Sequence, residues 1–302
     1  MTTVTVPRPT RQDPSPAAPA SRDRRLPAAV RHTSRWLLYA ALLFIFVTPL
    51  WSIAAAALSG TTVAPGSFVI FPEEMTLRNI IDTWGSERIA RYFLNSLVVV
   101  GLGVPLQTAV SAFAAYALAR KRFRGGAIIL LLIMATMMMP EEVIAIPLYL
   151  VLSDLPPFGV SLLNTYPGMI LPLVGWAFSI FVLMKFMQEI PREMEEAARV
   201  DGAGDFTLFW RIIIPCVKPA LGVVTVFGFL MIWDQYLLPL IVAQDTEMFT
   251  LQIALLNLRQ DDMIPLGIVM SAALLALLPS VIVYLLLQRY FQTGITSGAV
   301  KG

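Results

Sequence analysis

Residues 194–206 read MEEAARVDGAGDF, an acid-, alanine- and glycine-rich stretch between two apolar blocks. It is too polar for the hydrocarbon core of a bilayer, and prolines fence it, Pro191 before and Pro215 after. Pro191 suits the first position of a helix, where its missing N–H would be unpaired anyway. Glu193, Glu195 and Glu196 then lie near the positive end of the helix dipole. Glu195 and Arg199 are one turn apart and can pair, a contact worth about 0.2–0.5 kcal/mol at an exposed site. Ala197 and Ala198 keep one side thin. Gly202 and Gly204 end the helix, because glycine accepts the left-handed backbone of a helix terminus. Asp205 is placed to cap a second short helix, whose Phe206, Phe209, Ile212 and Ile213 recur at helical spacing until Pro215 and Pro219 break it. Two readings of this element stay open on physics alone. It inserts into a groove of a partner, or it packs on its own bundle as an ordinary interfacial helix.

The rest of the chain sets the context. Of 302 residues, 57% are hydrophobic and 14% charged, and the mean hydropathy is +0.72. Apolar runs of about 20 residues recur, the length that carries a helix across a bilayer of roughly 30 Å. The expected fold is an all-α, polytopic membrane protein with six spans, near 36–58, 95–119, 127–150, 167–187, 218–242 and 266–290, with the polar element inside a loop over 188–217. Segments 1–35, 120–126, 185–218 and 289–302 hold 18 of the 22 Lys and Arg residues. By the positive-inside rule those segments, and both termini, face the cytoplasm. Opposite them lie loops near 59–94, with a short amphipathic helix expected over 76–91, then 151–166 and 243–265. Residues 1–35 are rich in Pro, Ala, Ser and Arg, with too little apolar surface to fold alone, and read as a disordered tail. The run that follows is too long for the apolar region of a signal peptide and reads as a retained first span.

Several function classes are excluded by composition. A net charge of +2 argues against nucleic acid as a partner, and Cys216, the one cysteine, excludes an internal disulfide. His32 is the sole histidine, so a His/Cys metal site is not expected. Met134, Met137, Met138 and Met139 read as packing side chains rather than soft-metal ligands. No phosphate-binding GxxxxGK[ST], HExxH or GxSxG occurs. The chain is therefore expected to have no catalytic residue and no cofactor of its own, and any ATP and Mg²⁺ must sit on another chain.

Polar groups inside the spans are the remaining candidates. Glu141 and Glu142 fall in the third span and Asp234 in the fifth. A carboxylate in the membrane is expensive unless paired or hydrated, so such groups face a cavity or a partner. Pro140, Pro147 and Pro239 loosen the neighbouring backbone. Trp233, Gln235 and Tyr236 add an aromatic plate and hydrogen-bonding groups, which suit the apolar face and hydroxyls of a sugar. Pathway lining and structural pairing between subunits both remain open for Glu141, Glu142, Trp233, Asp234, Gln235 and Tyr236.

The pattern E-A-A-x-x-D-G-A followed by F-x-x-I-x-I-P, here Glu196-Ala197-Ala198, Asp201-Gly202-Ala203, then Phe209, Ile212, Ile214 and Pro215, resembles the loop that defines permease subunits of binding-protein-dependent ABC importers. Other stretches, among them FLNSLVVV, AAYALARKRFRG, LLNTYPGMILP and the ending GITSGAVKG, are similar to the carbohydrate-uptake branch, in particular the smaller permease of maltose-type systems. The resemblance covers about residues 36–302. It implies that the loop is a coupling helix seated in a groove of an ATPase subunit, with Glu195, Glu196, Ala197, Ala198, Asp201, Gly202 and Ala203 at the contact. Gly298, Lys301 and Gly302 make a second contact by the same resemblance. It further implies a bacterial cytoplasmic membrane location, a second homologous permease, two ATPases carrying ATP and Mg²⁺, and an extracytoplasmic sugar-binding protein. Asp234 departs from the family, which usually has Asn there. Glycerol phosphate or another small polar solute is the alternative cargo. A proton-coupled secondary transporter using Glu141, Glu142 and Asp234 is the alternative class, but the inverted repeats it predicts are not seen.

Overall fold

In a computed structural model of the chain, residues 28–61, 63–64, 67–72, 74–261 and 263–299 are described, with 28–31, 33–34, 87 and 289–299 described through the backbone alone. Helices α1 (Ala28–Ala57), α2 (Arg78–Gly85), α3 (Glu87–Arg120), α4 (Gly126–Thr136), α5 (Glu141–Ser153), α6 (Tyr166–Ile170), α7 (Ala177–Gln188) and α8 (Arg192–Val200) follow one another. Then come α9 (Asp205–Leu208), a π-helical turn (Phe209–Ile213), α10 (Ile214–Cys216), α11 (Lys218–Trp233), α12 (Leu237–Val242), α13 (Leu251–Gln260) and α14 (Leu266–Ala299). Among the described residues the strand-like pairing is limited to isolated bridges, Ser59 with Met75 and Leu155 with Val160.

The chain divides after Thr48 into two units. In the first, α1 starts at Ala28, so the last eight residues of the expected tail are helical, and residues 1–27 lie outside the described ones. There the indole N–H of Trp36 donates to His32 Nε2 at 3.0 Å.

The second unit holds the bundle. Its helix α3 packs along α7 and α11, and α11 packs on α14. One core cluster joins α3, α6, α11, α13 and α14 through residues such as Val99, Ile170, Trp233, Leu251 and Ala276. A second joins the far end of α3 to α7 and the start of α11 through Ala112, Met184, Ile213 and Val224. By contrast α4 has no buried residue, and much of α5 is exposed and apolar, which suits lipid or another membrane subunit.

Among the described residues three helices, Arg35–Ala57, Arg88–Arg120 and Leu266–Gln288, are long and apolar enough to cross a membrane. Three more stretches qualify only as bent pairs, at 109°, 43° and 79°. The straight third span expected over 127–150 is two helices meeting at 109° around Pro140, whose ring removes an N–H and bars the helical path of the residue before it. The expected fifth span, 218–242, stops at Trp233 and restarts at Leu237. The amphipathic helix expected over 76–91 breaks at Ser86, an extended residue between α2 and α3. Helix α13, within the expected loop 243–265, was not anticipated.

Two short motifs acquire mechanical reasons. Asn95 donates to the carbonyls of Glu247 at 2.8 Å and Phe249 at 2.9 Å and accepts from Tyr166 Oη at 2.7 Å, so one amide ties α3 to α6 and to the approach to α13. Asn164 takes a left-handed φ of 58° and accepts from the N–H groups of Gln244 and Asp245, clasping the loops on either side.

One seam is poorly satisfied. Gln107 of α3 is 0% exposed, and neither of its amide atoms, nor Ser111 Oγ nor Ser179 Oγ, has a hydrogen-bond partner among the described residues. The amide fits because residue 228 on α11 is glycine; a Cβ there would strike Gln107 Oε1. An orphaned buried polar group costs about 1–3 kcal/mol. Replacing Gln107 by leucine is therefore expected to raise the thermal unfolding midpoint of the purified protein in detergent, and Gly228→Val to lower it.

Candidate functional site

Two places assemble the candidate residues. The first is the polar element. Pro191 (φ −56°, ψ 137°) is the N-cap of α8 rather than its first helical residue. The helix closes at Gly202 as the glycine reading requires, whereas Gly204 is extended, with φ −75° and ψ 168°. Gly202 adopts φ 84°, its N–H reaches the Arg199 carbonyl at 3.0 Å, and the Ala203 N–H reaches that of Ala198 at 2.9 Å. This is the paired Schellman closure, which needs a left-handed residue at its centre.

The charged side chains pair differently from the local expectation. Glu195 does not face Arg199. Its Oε1 lies 3.0 Å from Arg120 Nε, at the last residue of α3. Arg120 Nη2 also donates to the Ile190 carbonyl at 2.6 Å. Arg199 turns the other way and donates to Asp205 Oδ1 at 3.0 Å, while Lys121 Nζ lies 2.6 Å from Asp205 Oδ2. Asp205 is thus not a cap; Gly204 holds the N-cap position of α9, and the Asp205 carboxylate is held by two cations instead. The physical reason is burial. An i,i+4 pair in water gains little, whereas the Arg120 side chain is 4% exposed and Glu195 12%, so each needs the other.

This divides α8 into two faces. Glu195 and Ala198, one turn apart, are its less exposed positions and lie on the side of the α3 end. Met194, Ala197 and Val200 are exposed, Val200 at 88%, and Phe206 just past the turn is exposed as well. Glu196, Asp201 and Gly202 are also exposed and Ala203 is half-buried. Gly298 lies in the backbone of α14, and Lys301 and Gly302 lie outside the described residues. Cys216 is exposed.

The second place is a cavity of about 410 Å³. It forms where three helix breaks converge. Met137 and Met139 come from the α4–α5 break, Gly175 and Trp176 from the break before α7, and Gln235 from the break between α11 and α12. Irregular backbone at membrane depth is tolerated where it lines such a space. Gln235 Nε2 donates to Glu141 Oε2 at 3.1 Å, and Gln235 Oε1 accepts from the Leu237 N–H at 3.1 Å, at the start of α12. One side chain thus orients the carboxylate and steadies the second half of a broken helix. Trp176 supplies an aromatic wall, tilted against Phe178 with centroids 5.0 Å apart. Among the described residues no Lys or Arg lines the cavity, and Glu141 is the one charged group on its wall.

Not all of the expected path residues are here. Trp233 is 2% exposed; its indole N–H donates to the Ala276 carbonyl at 2.9 Å, and its ring stacks on Phe229 at 5.8 Å. It belongs to the core, because the last turn of α11 faces α14. Glu142, Asp234 and Tyr236 are exposed and outside the cavity wall. Trp176 and Thr136 were missed. The pair Gly175-Trp176 inside an apolar run was the available signal for the former, since glycine favours a break and tryptophan carries a polar edge. Arg120 and Lys121 were read only as markers of orientation. Among the described residues no His, Cys, Asp or Glu cluster is arranged to hold a metal ion.

The fold is that of an ABC importer permease. It superposes on a chain of a bacterial ABC transporter involved in the import of the acidic polysaccharide alginate, with a TM-score of 0.75 over 87% of this chain and 97% of that one, at 23% identity. Residues 107–297 match the family of binding-protein-dependent transport system inner membrane components, and the chain belongs to that family. It is 31% identical to the diacetylchitobiose uptake system permease NgcG of Streptomyces coelicolor, covering 94% of this chain and 92% of that one. It is 34% identical to the arabinooligosaccharides transport system permease AraQ of Bacillus subtilis over 77% of this chain and 82% of that one. It is also 32% identical to the sn-glycerol-3-phosphate transport system permease UgpE of Yersinia pestis over 86% of this chain and 93% of that one.

Proposed function

We propose that this chain is the permease subunit of an ATP-driven importer of an uncharged saccharide. It spans the bacterial cytoplasmic membrane six times, with both termini in the cytoplasm. It works with a second permease, two ATPases and an extracytoplasmic sugar-binding protein. The lysine and arginine distribution supports the orientation, since the basic turn between α3 and α4 and the α8 element lie on one side. The exposed face of α8, Met194, Ala197 and Val200, supports docking into an ATPase groove. ATP and Mg²⁺ on the partners favour one state of the assembly by the difference in their affinity for the two states, and the docked helix passes that preference to the spans.

The observation that carries the saccharide reading is the cavity at the three helix breaks. An aromatic plate, an amide and a carboxylate match the apolar faces and hydroxyls of a sugar. The relatives that carry oligosaccharides point the same way. The glycerol-phosphate relative favours a second reading, but a phosphate wants cations, and this cavity wall has none among the described residues. Reconstitution of the complete transporter in proteoliposomes distinguishes them. Uptake of a labelled di- or oligosaccharide is expected to need ATP and the binding protein, and glycerol 3-phosphate is not expected to compete. Uptake of glycerol 3-phosphate with no saccharide uptake would overturn the reading.

A further inference from the structure

We infer that Arg120 and Glu195 are positioning residues that mount the coupling helix rigidly on the end of α3, so that Glu195 acts inward rather than on the ATPase. The inference rests on the coupling role proposed above.

The geometry is a two-point attachment. One guanidinium donates through Nη2 to the Ile190 carbonyl just before α8, at 2.6 Å, and its Nε lies 3.0 Å from Glu195 Oε1 in the first turns, a buried charge contact in which neither atom makes a hydrogen bond among the described residues. Two points on one helix fix its direction as well as its place, and the planar fork of arginine suits such a task in a way that lysine does not. Both side chains are nearly closed to water, 4% and 12% exposed. A pair in that setting does not exchange partners freely, because either charge left alone would be buried without compensation.

The residue that follows α3 secures the other side of the turn. Lys121 holds Asp205, which Arg199 at the end of α8 also holds. Arg120 and Lys121 therefore grip the element on both sides of Gly202. No slack loop lies between α8 and the bundle on this route. Helix α3 packs along α11, and the break after α11 places Gln235 on the cavity wall. A displacement imposed on α8 is delivered to the helix that packs beside the cavity-forming one.

The test uses the complete transporter and reads sugar imported per ATP hydrolysed. Arg120→Gln and Glu195→Gln are each expected to lower that ratio at least tenfold. The double variant is expected to be no worse than either single one, the non-additivity of a shared contact. Exchanging the pair, Arg120→Glu with Glu195→Arg, is expected to recover part of the lost ratio. A structural role alone would lower the amount of assembled transporter and leave the ratio unchanged. An unchanged ratio in Glu195→Gln would overturn the inference while wild-type coupling upholds the function. Absence of ATP-driven uptake by the wild type would overturn the function and the inference with it.

A second measurement leaves the pair intact. Spin labels at Arg122→Cys and Glu193→Cys, both exposed positions, in a Cys216→Ser background report the distance between the α3 end and α8. A rigid mount predicts the same distance without nucleotide and with ATP trapped. A shift of the distance distribution between the two states would overturn it.

Discussion

Replacing Ala197 by arginine is expected to abolish ATP-driven uptake while the protein still inserts into the membrane. Ala197 lies on the exposed face of α8, between Met194 and Val200. On the proposed docking, a methyl group there lets a groove close over the helix, and the apolar side chains on either side, Met194 and Val200, are exposed. On the same proposal, a guanidinium at this point is driven into a groove shaped for a methyl group. Leaving a charge unpaired in an interface costs about 2–5 kcal/mol, roughly 30- to 3,000-fold in affinity. Ala197→Gly, which adds no bulk, is the control and is expected to retain most uptake. The measurement is co-purification of the ATPase subunits together with uptake. Loss of uptake with the ATPases still bound at full stoichiometry would mean that this face is not where they sit. Ala198→Arg addresses the opposite side. Ala198 shares the face of Glu195, so an arginine there presses on the mount rather than on the partner, and the ATPases are expected to stay bound while coupling is lost.

The contrast between Ala197 and Ala198 shows what the sequence carried and what it did not. The turn at Gly202 was legible because a Schellman closure makes a local demand, a left-handed residue followed by a return of the chain, and glycine at that spacing meets it. The existence of the spans was legible because length and apolar content are local as well. The inner and outer faces of α8 were not. Four candidate charges lie within a few residues, and neighbour rules pair Glu195 with Arg199. Burial of Arg120 overrides that weak preference from 75 positions earlier in the chain, and nothing within residues 188–217 announces it. The helix breaks were half legible. Pro140 marked one of them, but a proline fixes where a helix yields and not the 109° through which it turns. Trp233 was misplaced because adjacency to Gln235 in sequence means opposed directions on the last turn of a helix. Residue 233 points at Ala276, and residue 235 lies past the end of α11.

Replacing Gln235 by leucine is the second large effect, expected to lower saccharide uptake about 10- to 100-fold with membrane insertion and ATPase binding retained. The side chain has two tasks at once. Its amide N–H₂ holds Glu141 at 3.1 Å, and its carbonyl accepts from Leu237 at 3.1 Å. A hydrogen bond to a charged group contributes about 1.5–3 kcal/mol, and each 1.4 kcal/mol is about tenfold, which sets the range. Leucine keeps the volume and removes both bonds, so Glu141 is left without a donor on the cavity wall and α12 loses a contact at its start. Glutamate at 235 keeps the acceptor for Leu237 but sets a second carboxylate against Glu141, and its effect is expected to exceed that of leucine. The two tasks separate in a double-mutant cycle. In a Glu141→Gln background the charge is gone, so Gln235→Leu should lose only the share owed to Leu237, a smaller factor than in the wild type. Equal factors in the two backgrounds would assign the whole effect to the helix break and none to the carboxylate. Full uptake by Gln235→Leu would remove this cavity from the sugar's route, and with it the observation on which the uncharged saccharide rests.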